Sequence, residues 1–340
     1  MTNQPLVSIC IPTYNAGEFF EACLQSALEQ TYPNIEILIS DDGSTDGTLQ
    51  IVDRYQRQHP VIRLVENANR GMVSNWNNCI TKAKGEWVKF LFQDDILKPG
   101  CVEKMLEACL ANHVEVGLCR REFIIHNDVP KPLRFDFKYK LVRPERVFGE
   151  SSYISPEQLA KGIAEHMRQN ILGEPTCYLF SKRIFEQTGM FNPEFKQVVD
   201  LEFIIRLGLK KGLAFSPEVL ALFRVHGKSE SSANIKEDKT AEARNITAVT
   251  GDIILLFYHF KNNPEFDLVM KAIGEDVLEI HMRHMYYSGC KKKGQRIFNQ
   301  ALKPIREKYP ELGNMHYNIF KYAYYRKLFK KWEKHNRLYD

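Results

Sequence analysis

Two adjacent carboxylates follow a bulky, mainly apolar stretch of the chain. Residues 87–92 lead through Gln93 into Asp94 and Asp95. Such a run predicts a strand covered on both faces, and a polar pair at its carboxyl end would face the crevice where α/β proteins bind ligands. Adjacent carboxylates repel each other unless a cation lies beside them, and Mg²⁺ or Mn²⁺ suits such oxygen ligands. Alternatively, both residues cap a helix that begins near Pro99.

A second polar cluster occupies residues 41–48, which are rich in Asp, Gly, Ser and Thr. This composition between a strand and a helix predicts a tight loop at the same crevice, with acceptors for a nucleoside base or ribose. Asp46 or Thr45 would equally serve as the N-cap of the following helix. Because capping does not need further carboxylates, Asp42 is the stronger ligand-binding candidate.

Two later positions carry groups suited to proton transfer and phosphate binding. Asp200 begins a predicted helix, where it is either an N-terminal acid stabilised by the helix dipole or a base that projects into the cleft. Alternation along a strand end would put Arg224 and His226 on one face. A cation and an imidazole in that arrangement could reach the same phosphate or metal.

The elements that position these residues alternate between strand and helix. Strands are predicted at 6–11, 35–40, 61–65 and 86–92, and helices at 18–30, 48–58 and 71–83. Pro12 is expected to stop the first strand. The alternation predicts a doubly wound, mainly parallel α/β sheet flanked by helices.

The rest of the chain divides into a second α/β block and a helical extension. Further elements are predicted as a long loop at 127–150, a strand at 176–180, a helix at 199–211 and a strand at 219–225. Beyond them, apolar positions from Phe266 to Ile280 step by three and four, which indicates an amphipathic helix.

These patterns predict the domain organisation. We expect one domain over 1–232, with a nucleotide-binding half at 1–126 and an acceptor-side half at 127–232. Residues 233–340 are expected to form a helical, basic C-terminal region.

The composition indicates a globular protein. The chain has 340 residues, of which 44% are hydrophobic and 26% are charged. No apolar run reaches the roughly 18 residues needed to span a bilayer, and the first residues lack the basic-then-apolar order of a signal peptide. A cytoplasmic location is therefore expected. The eight cysteines occur without C-x-x-C pairs, which predicts reduced core residues rather than a disulfide or zinc framework.

Positive charge is concentrated near the C-terminus. Residues 281–340 contain 15 Lys and Arg but four Asp and Glu, whereas the whole chain has a net charge of +5. The remainder is net acidic, which argues against a nucleic-acid groove. Aromatic and basic residues interleave over 317–334. This segment either lies on an anionic membrane surface or forms a helix packed on the body or on a second subunit of a homo-oligomer.

Six elements occur in an order that resembles family 2 glycosyltransferases. They are Ile11-Pro12-Thr13-Tyr14-Asn15, then Asp41 to Thr48, then Asn69-Arg70-Gly71 with Asn75, then Gln93-Asp94-Asp95, then Asp200, then Arg224-Val225-His226. The resemblance covers residues 5–232 of this chain. It implies a GT-A fold and the transfer of a sugar from a nucleotide diphosphate donor with inversion at the anomeric carbon.

The resemblance also implies roles for individual residues. The positions that match nucleoside-binding ones are Pro12, Thr13, Tyr14, Asp42 and Arg70. Asp94 matches the ribose or donor contact, and Asp95 matches the metal ligand of the D-x-D motif. His226 matches a late histidine that reaches metal or diphosphate, and Asp200 matches the general base.

Two positions depart from the family pattern. Gln93 replaces the first acid of a strict D-x-D motif, so a single carboxylate of this motif would touch the ion. Val199 stands where an acid often precedes the base, which makes Glu202 a rival to Asp200.

The expected function is an inverting, metal-dependent sugar transfer. The donor would be a nucleotide-diphosphate sugar, with a UDP-sugar as the leading candidate, and the cofactor Mn²⁺ or Mg²⁺. The acceptor would be a glycan or lipid-linked hydroxyl in surface polysaccharide synthesis, met at the inner face of the membrane; Glu174-Pro175-Thr176 and the loop 127–150 are candidate acceptor surfaces. The alternatives are a nucleotidyltransferase that makes nucleotide sugars and a catalytically silent nucleotide-binding scaffold.

Overall fold

The computed structural model describes residues 4–68, 70–129, 131–135, 137, 143–167, 169–228 and 239–336. The chain divides into two compact units, which are described separately. Unit 1 comprises Met1–Leu159, Gln169–Glu194 and Val199–Gly227, and unit 2 comprises Ala160–Arg168, Phe195–Val198 and Lys228–Asp340. Asn69 of the family pattern and parts of the stretch 127–150 lie outside the described residues.

One mixed sheet runs through unit 1. Its strands are β1 Val7–Thr13, β2 Ile35–Asp41, β3 Ile62–Glu66, β4 Trp87–Phe90, β5 Ile96–Leu97, β6 Val116–Ile125, β7 Tyr153–Ile154, β8 Tyr178–Ser181 and β9 Leu213–Val225. The strand order is β3-β2-β1-β4-β8-β6-β9-β5, and β7 pairs with β9. Helices along this part of the chain are α1 Phe20–Leu28, α2 Thr48–Gln56, α3 Met72–Lys82, α4 Cys101–Ala111, α5 Lys131–Phe135, α6 Pro144–Phe148, α7 Pro156–Glu165, α8 Arg183–Thr188 and α9 Val199–Lys211.

The first four strands form a parallel half-sheet. β1 pairs in parallel with β2 and β4, and β2 pairs in parallel with β3. The chain moves outward from β1 to β3 and then returns to place β4 on the other side of β1, so the direction of winding changes between β1 and β4. Ligands of α/β sheets bind outside the carboxyl ends of the strands at such a point. The loops after Thr13 and Phe90 therefore flank the expected crevice.

The prediction that Pro12 stops the first strand was wrong. β1 continues to Thr13, and Pro12 pairs with Ser40 of β2. β4 pairs with β1 only as far as Cys10 and Phe90, so Pro12 lies where one side of β1 has no ladder partner in the described sheet. Proline is tolerated at such edge positions because it cannot donate to a ladder.

Beyond β4 the sheet changes character. β8 pairs antiparallel with both β4 and β6, whereas β6 and β9 are parallel neighbours. α9 has the predicted bounds, 199–211. The stretch 127–150 is not the continuous loop that the sequence predicts, because it contains α5 and α6. Helices of five residues are too short to produce a readable apolar period.

Unit 2 is helical. Its helices are α10 Lys239–Asn262, α11 Asp267–Ile273, α12 Glu275–Lys293, α13 Gln295–Ala301, α14 Lys303–Lys308 and α15 Ile319–Asn336. The predicted amphipathic stripe is buried at Phe266, Val269 and Ile273. Among the described helices, none combines the length and apolar character that crossing a bilayer requires.

Aromatic contacts join the last helix of unit 2 to α12. The ring of Phe329 in α15 stacks on His284 with 4.1 Å between centroids. Trp332 lies edge-on to the fully buried His281, with 4.3 Å between centroids. All eight cysteines of the chain are free, and their burial confirms the predicted core positions. The predicted class, an α/β sheet flanked by helices with a helical C-terminal region, is confirmed.

Candidate active site

The two aspartates at the end of β2 have different surroundings. The Asp41 carboxylate is buried and accepts hydrogen bonds from the Gly43 N–H at 2.9 Å, the Ser44 N–H at 2.8 Å and the Thr13 hydroxyl at 3.0 Å. These bonds close the turn after β2 and attach it to the end of β1. The partly exposed Asp42 is therefore the position that a ligand could reach.

Asp42 is held against the segment that leads into α3. Its carboxylate accepts from the Asn67 side-chain amide at 2.7 Å and from the Gly71 N–H at 2.8 Å. Gly71 has φ of 111°, a conformation that an L side chain rarely adopts. The Arg70 guanidinium donates to the Asp42 carbonyl oxygen. The structure thus brings together two predicted nucleoside-binding residues, and their contact with a base stays a prediction.

Gln93 joins the two loops that flank the crevice. Its side-chain oxygen accepts from the Tyr14 N–H at 2.8 Å, and its nitrogen donates to the Tyr14 carbonyl at 3.3 Å. A carboxylate could accept but not donate, so an amide satisfies both backbone groups where an acid would not. The departure from D-x-D therefore has a structural reason. Pro12 and Thr13 are buried, whereas Tyr14 is 57% exposed and free to stack on a ligand.

Asp95 is fully buried between two protein donors. One carboxylate oxygen accepts from the Arg224 N–H at 2.8 Å and the other from the Thr176 hydroxyl at 2.5 Å. Burial, and secondly the charge of Asp94, raise the pKa of the Asp95 carboxyl well above its ordinary value. Both oxygens are engaged in tying the 91–95 turn to distant parts of the chain. This geometry does not favour the predicted role of Asp95 as metal ligand.

Asp94 keeps part of its surface and pairs with His226. Asp94 Oδ2 lies 3.0 Å from His226 Nε2, and the two side chains are 23% and 11% exposed. His226 directly follows the end of β9 at Val225. Two of the predicted site residues therefore meet at the carboxyl-end edge of the sheet.

Phe19 and His126 complete this corner and were not singled out from the sequence. Arg224 Nε donates to the Asp94 carbonyl at 2.7 Å, and Arg224 Nη1 lies 3.0 Å from His126 Nε2. The Phe19 ring covers the Arg224 guanidinium carbon at 4.6 Å and the His226 ring at 4.6 Å between centroids. An aromatic face stabilises such a cation.

A register argument could have found His126. Ile125 of β6 and Val225 of β9 are partners in a parallel ladder. The residues that follow them, His126 and His226, must therefore lie side by side, and their ring centroids are 6.4 Å apart.

The pair Asp94–His226 fits a divalent ion. Neighbouring octahedral ligands about 2.1 Å from Mg²⁺ lie roughly 3 Å apart, and this pair has 3.0 Å between its ligand atoms. In the described part of the chain, no three or more His, Cys, Asp or Glu side chains are grouped so as to hold an ion. Two protein ligands suffice where substrate phosphates supply others.

Asp200 is in the first turn of α9 and is partly buried. One of its carboxylate oxygens accepts from the Leu201 N–H at 2.9 Å. Burial, and secondly the negative charge of Glu174, raise the pKa of Asp200 to about 7. A carboxyl group with a pKa near the working pH is suited to take a proton from a hydroxyl.

Glu174 connects the two carboxylate regions electrostatically. It forms an ion pair with the buried Arg121, whose Nη2 donates to Glu174 Oε1 at 3.2 Å. Its charge contributes to the raised pKa of Asp95 as well as to that of Asp200. This effect of Glu174 on the pKa of both aspartates arises from the fold itself and needs no bound ligand.

The segment around Thr176 is internal. Lys89, fully buried in β4, donates to the Thr176 carbonyl oxygen and to the Phe90 carbonyl at 2.9 Å. Pro175 and Thr176 are themselves buried. The expectation that Glu174-Pro175-Thr176 forms an acceptor surface was therefore wrong for these two residues, because they support the sheet instead.

Glu202, the rival to Asp200, is buried in a two-point ion pair. Arg206 Nε donates to Glu202 Oε1 at 2.6 Å and Arg206 Nη2 to Oε2 at 3.1 Å. Arg206 also donates to the Met190 carbonyl at 2.9 Å. Because both Glu202 oxygens are engaged, Asp200 is the better placed of the two as a base.

The amino-acid sequence matches an enzyme family over much of the chain. Residues 8–187 fit the profile described as Glycosyl transferase family 2, which is more than half of the 340 residues. The chain belongs to glycosyl transferase family 2. The predicted enzyme class, sugar transfer, is confirmed by this membership, and the nucleotidyltransferase alternative finds no support.

One curated relative of this glycosyltransferase is a polysaccharide synthase. The chondroitin synthase of Pasteurella multocida (strain Pm70) is 28% identical over 240 residues, which are 69% of this chain and 22% of the synthase. The chain thus spans about a fifth of the length of that relative.

Solved structures establish the fold of this glycosyltransferase. S. aureus TarS 1-349 in complex with UDP-GlcNAc is similar with a TM-score of 0.57 and 17% identity, over 89% of this chain and 92% of that one. Mannosyltransferase PcManGT from Pyrobaculum calidifontis, in complex with GDP-Man and Mn²⁺, has a TM-score of 0.55 and 18% identity, over 99% and 85%. The GT-A fold predicted from the sequence is confirmed.

Proposed function

We propose that this glycosyltransferase moves a sugar, with inversion, from a nucleotide diphosphate donor to a hydroxyl group of a glycan or lipid-linked acceptor in polysaccharide synthesis. The observation that carries the proposal is the 3.0 Å pairing of Asp94 with His226 beside the Gln93–Tyr14 contact. A departing diphosphate needs positive charge at that point. The ligands of TarS and PcManGT support a nucleotide-sugar donor, and the chondroitin synthase supports a glycan acceptor.

The nucleoside would lie across the ends of β1 and β2. The exposed ring of Tyr14 offers a stacking surface, and Asp42 offers a carboxylate to the base. Arg70 donates to the Asp42 carbonyl oxygen and would border the nucleoside on the side of Asp42. The proposed donor is a UDP-sugar.

Asp94 and His226 would hold Mg²⁺ or Mn²⁺, and such an ion supplies positive charge that stabilises the leaving diphosphate. This assignment places the ligand at Asp94 rather than at Asp95. The reason is geometric, since the Asp95 oxygens are buried on protein donors while Asp94 keeps a partly exposed carboxylate.

Asp200 would accept the proton of the acceptor hydroxyl. The acceptor oxygen then forms its bond to the anomeric carbon while the bond from that carbon to the diphosphate oxygen breaks. The diphosphate leaves with the electron pair. A single displacement on the opposite face inverts the anomeric configuration. A pKa of about 7 lets Asp200 receive a proton near neutral pH.

Thermal shift measurements test the proposal. Wild type, Asp94→Asn and Asp95→Asn would be measured with UDP, GDP, TDP and CMP, each with and without Mn²⁺. We expect UDP to raise the melting temperature, with a further rise from Mn²⁺ that is lost in Asp94→Asn. Absence of stabilisation by every nucleotide would contradict the proposal. A Mn²⁺ effect that survives in Asp94→Asn and disappears in Asp95→Asn would restore Asp95 as the ligand.

For the acceptor, the proposal includes contact between α15 and an anionic lipid surface. On α15, Phe320 and Tyr324 are 81% and 58% exposed, and Lys321, Lys327 and Lys330 are exposed beside them. Residues three and four apart share one helix face. Exposed aromatic rings flanked by lysines fit a bilayer interface with negative headgroups.

Co-sedimentation with vesicles tests the lipid surface. We expect wild type to pellet with phosphatidylcholine vesicles that contain phosphatidylglycerol and to stay in solution with phosphatidylcholine alone. The double variant Phe320→Ser, Tyr324→Ser should lose most of this binding. Leu110→Ser, which removes an exposed apolar side chain of unit 1, is the matched control. Equal pelleting of the double variant and wild type would refute the lipid contact.

A further inference from the structure

Asp252 of α10 anchors a short backbone segment. Its side chain is 3% exposed. One carboxylate oxygen, Oδ2, accepts from the N–H groups of Lys196 at 2.7 Å, Gln197 at 2.5 Å and Val198 at 3.2 Å. Asp252 and the segment Phe195–Val198 belong to the same compact unit. Three successive N–H groups on one oxygen form an anion-binding concavity that a carboxylate of the chain itself fills.

The anchored segment leads directly into α9. This helix begins at Val199, and Asp200 is its second residue. N–H groups at the start of a helix need partners from outside its own hydrogen-bond ladder. Phe195 provides a second attachment, since it is buried and its ring lies 5.6 Å from that of His259, two turns beyond Asp252 on the same face of α10.

We infer that Asp252 is a positioning residue for Asp200. The inference rests on the proposed role of Asp200 as base. A base must lie within hydrogen-bond reach of the acceptor hydroxyl, and a displacement of about 1 Å can cost about a hundredfold in rate. The bond from the Leu201 N–H fixes the Asp200 carboxylate only relative to α9. The residues directly before the first turn of α9 are held by Asp252, so loss of these bonds is expected to displace that turn.

A helix cap that served stability alone would behave differently. Its removal would lower the melting temperature but leave the turnover of the folded fraction intact. A positioning role requires turnover to fall while the nucleotide, bound by residues of β1, β2 and the 91–95 turn, keeps its affinity.

The kinetic test compares Asp252→Ala, Asp252→Asn and the control Asp267→Ala, which removes an exposed carboxylate from the same unit. We expect kcat of Asp252→Ala to fall by about tenfold or more, with the affinity for UDP and Mn²⁺ within about twofold of wild type. Asp252→Asn should fall less, because its amide oxygen still accepts. The acid limb of the kcat profile should also move in Asp252→Ala, since a displaced turn changes the burial of Asp200. Wild-type kcat in folded Asp252→Ala would overturn the inference.

Hydrogen exchange gives a readout that does not depend on activity. Backbone amides of 196–203 should exchange faster in Asp252→Ala than in wild type, while those of β1 and β2 are unchanged. Unchanged exchange at 196–203 would refute the anchor whatever the base is. If Asp200→Asn keeps full activity, Asp200 is not the base. Faster exchange in Asp252→Ala would in that case show that Asp252 anchors the segment without a role in catalysis. Failure of the proposed base and failure of the proposed anchor therefore give different results.

Discussion

The 91–95 turn and the start of α9 both bring carboxylates to the site, but they hold them by different means. In the turn, Asp95 gives each oxygen to a protein donor, and Asp94 faces His226 at 3.0 Å. At the start of α9, Asp200 has a backbone donor in the next residue, and its neighbour Glu174 is negative. Burial and a neighbouring negative charge raise the pKa of both Asp95 and Asp200, so the two buried carboxyls differ in their hydrogen-bond partners and not in the direction of that shift.

The difference separates two tasks that a sugar transfer must perform. In the proposed mechanism, the charge on the leaving diphosphate is neutralised beside Asp94, where His226 and Arg224 cluster. The proton of the acceptor hydroxyl is taken up at Asp200, whose pKa of about 7 suits that proposed role. Substitutions of Asp94 and of Asp200 should therefore affect different steps of the proposed reaction, although the charge of Glu174 acts on both regions.

The largest effect is expected from Asp200→Asn. An amide cannot accept the hydroxyl proton, so kcat should fall by about a thousandfold while the KM for the donor changes little. Steady-state kinetics at saturating donor measure this loss. Asp276→Asn, an exposed carboxylate of unit 2, is the control. A kcat within about tenfold of wild type would remove Asp200 from the role of base.

The pH dependence of Asp200 follows from its raised pKa. Wild-type kcat should rise with pH through about 7 and then level off, because the ionised form is the active one. The stability of the folded protein shows the opposite trend. In the unfolded chain the Asp200 carboxyl has its ordinary pKa of 3.8, so it ionises more readily than in the folded protein. Its contribution to the free energy of unfolding therefore declines as the pH rises from 3.8 through about 7. The melting temperature of Asp200→Asn relative to wild type should therefore be higher at pH 8 than at pH 5.

The next prediction distinguishes the adjacent carboxylates Asp94 and Asp95 by the effects of substituting each of them. Asp94→Asn should lower kcat/KM by about a hundredfold with little loss of stability. Asp95→Ala should instead lower the free energy of unfolding by about 2–5 kcal/mol, because two buried donors, from Thr176 and Arg224, lose their acceptor. Chemical denaturation and kinetics measure both. A stable Asp95→Ala with abolished Mn²⁺ dependence would reverse the assignment.

The parallel half of the sheet could be predicted because its signals are local. Strands and helices alternate over short distances between Val7 and Phe90, and each polar loop follows its own strand. The loop that carries Asp42 and the turn that carries Asp94 were placed correctly at strand ends for this reason.

The different surroundings of Asp94 and Asp95 could not be predicted from the sequence. The residues are adjacent and identical in type, and their difference comes from partners 81 and 129 positions away in the chain, Thr176 and Arg224. The anchor at Asp252 is likewise 54 to 56 positions from the N–H groups that it binds. Contacts of that range leave no periodic pattern along the chain.

A smaller effect is expected from Glu174→Gln, which changes the pKa of Asp200 while leaving that residue in place. Removing the negative charge lowers the pKa of Asp200, and the unpaired Arg121 guanidinium acts in the same direction. The acid limb of the kcat profile should move to lower pH, so that kcat at pH 6, relative to its plateau, rises by about two- to fivefold. The profile should be recorded well below the melting temperature, because an ion pair is lost. An acid limb at the wild-type position would show that Glu174 does not tune this carboxyl.

A comparably small effect is expected from Gln93→Ala, which tests the link between the two loops. The variant loses two hydrogen bonds to the Tyr14 backbone, at 2.8 Å and 3.3 Å. A hydrogen bond contributes about 0.5–1.5 kcal/mol, and the contact at 3.3 Å is longer than the usual range. Loss of about one full bond should therefore raise the KM for the donor about three- to tenfold, with kcat nearly unchanged. Gln58→Ala, which removes an exposed glutamine of unit 1, is the control. If kcat falls while the KM is unchanged, Gln93 contributes to stabilising the leaving group and not to holding the nucleoside. A contact that is made only in the transition state changes kcat without changing the KM.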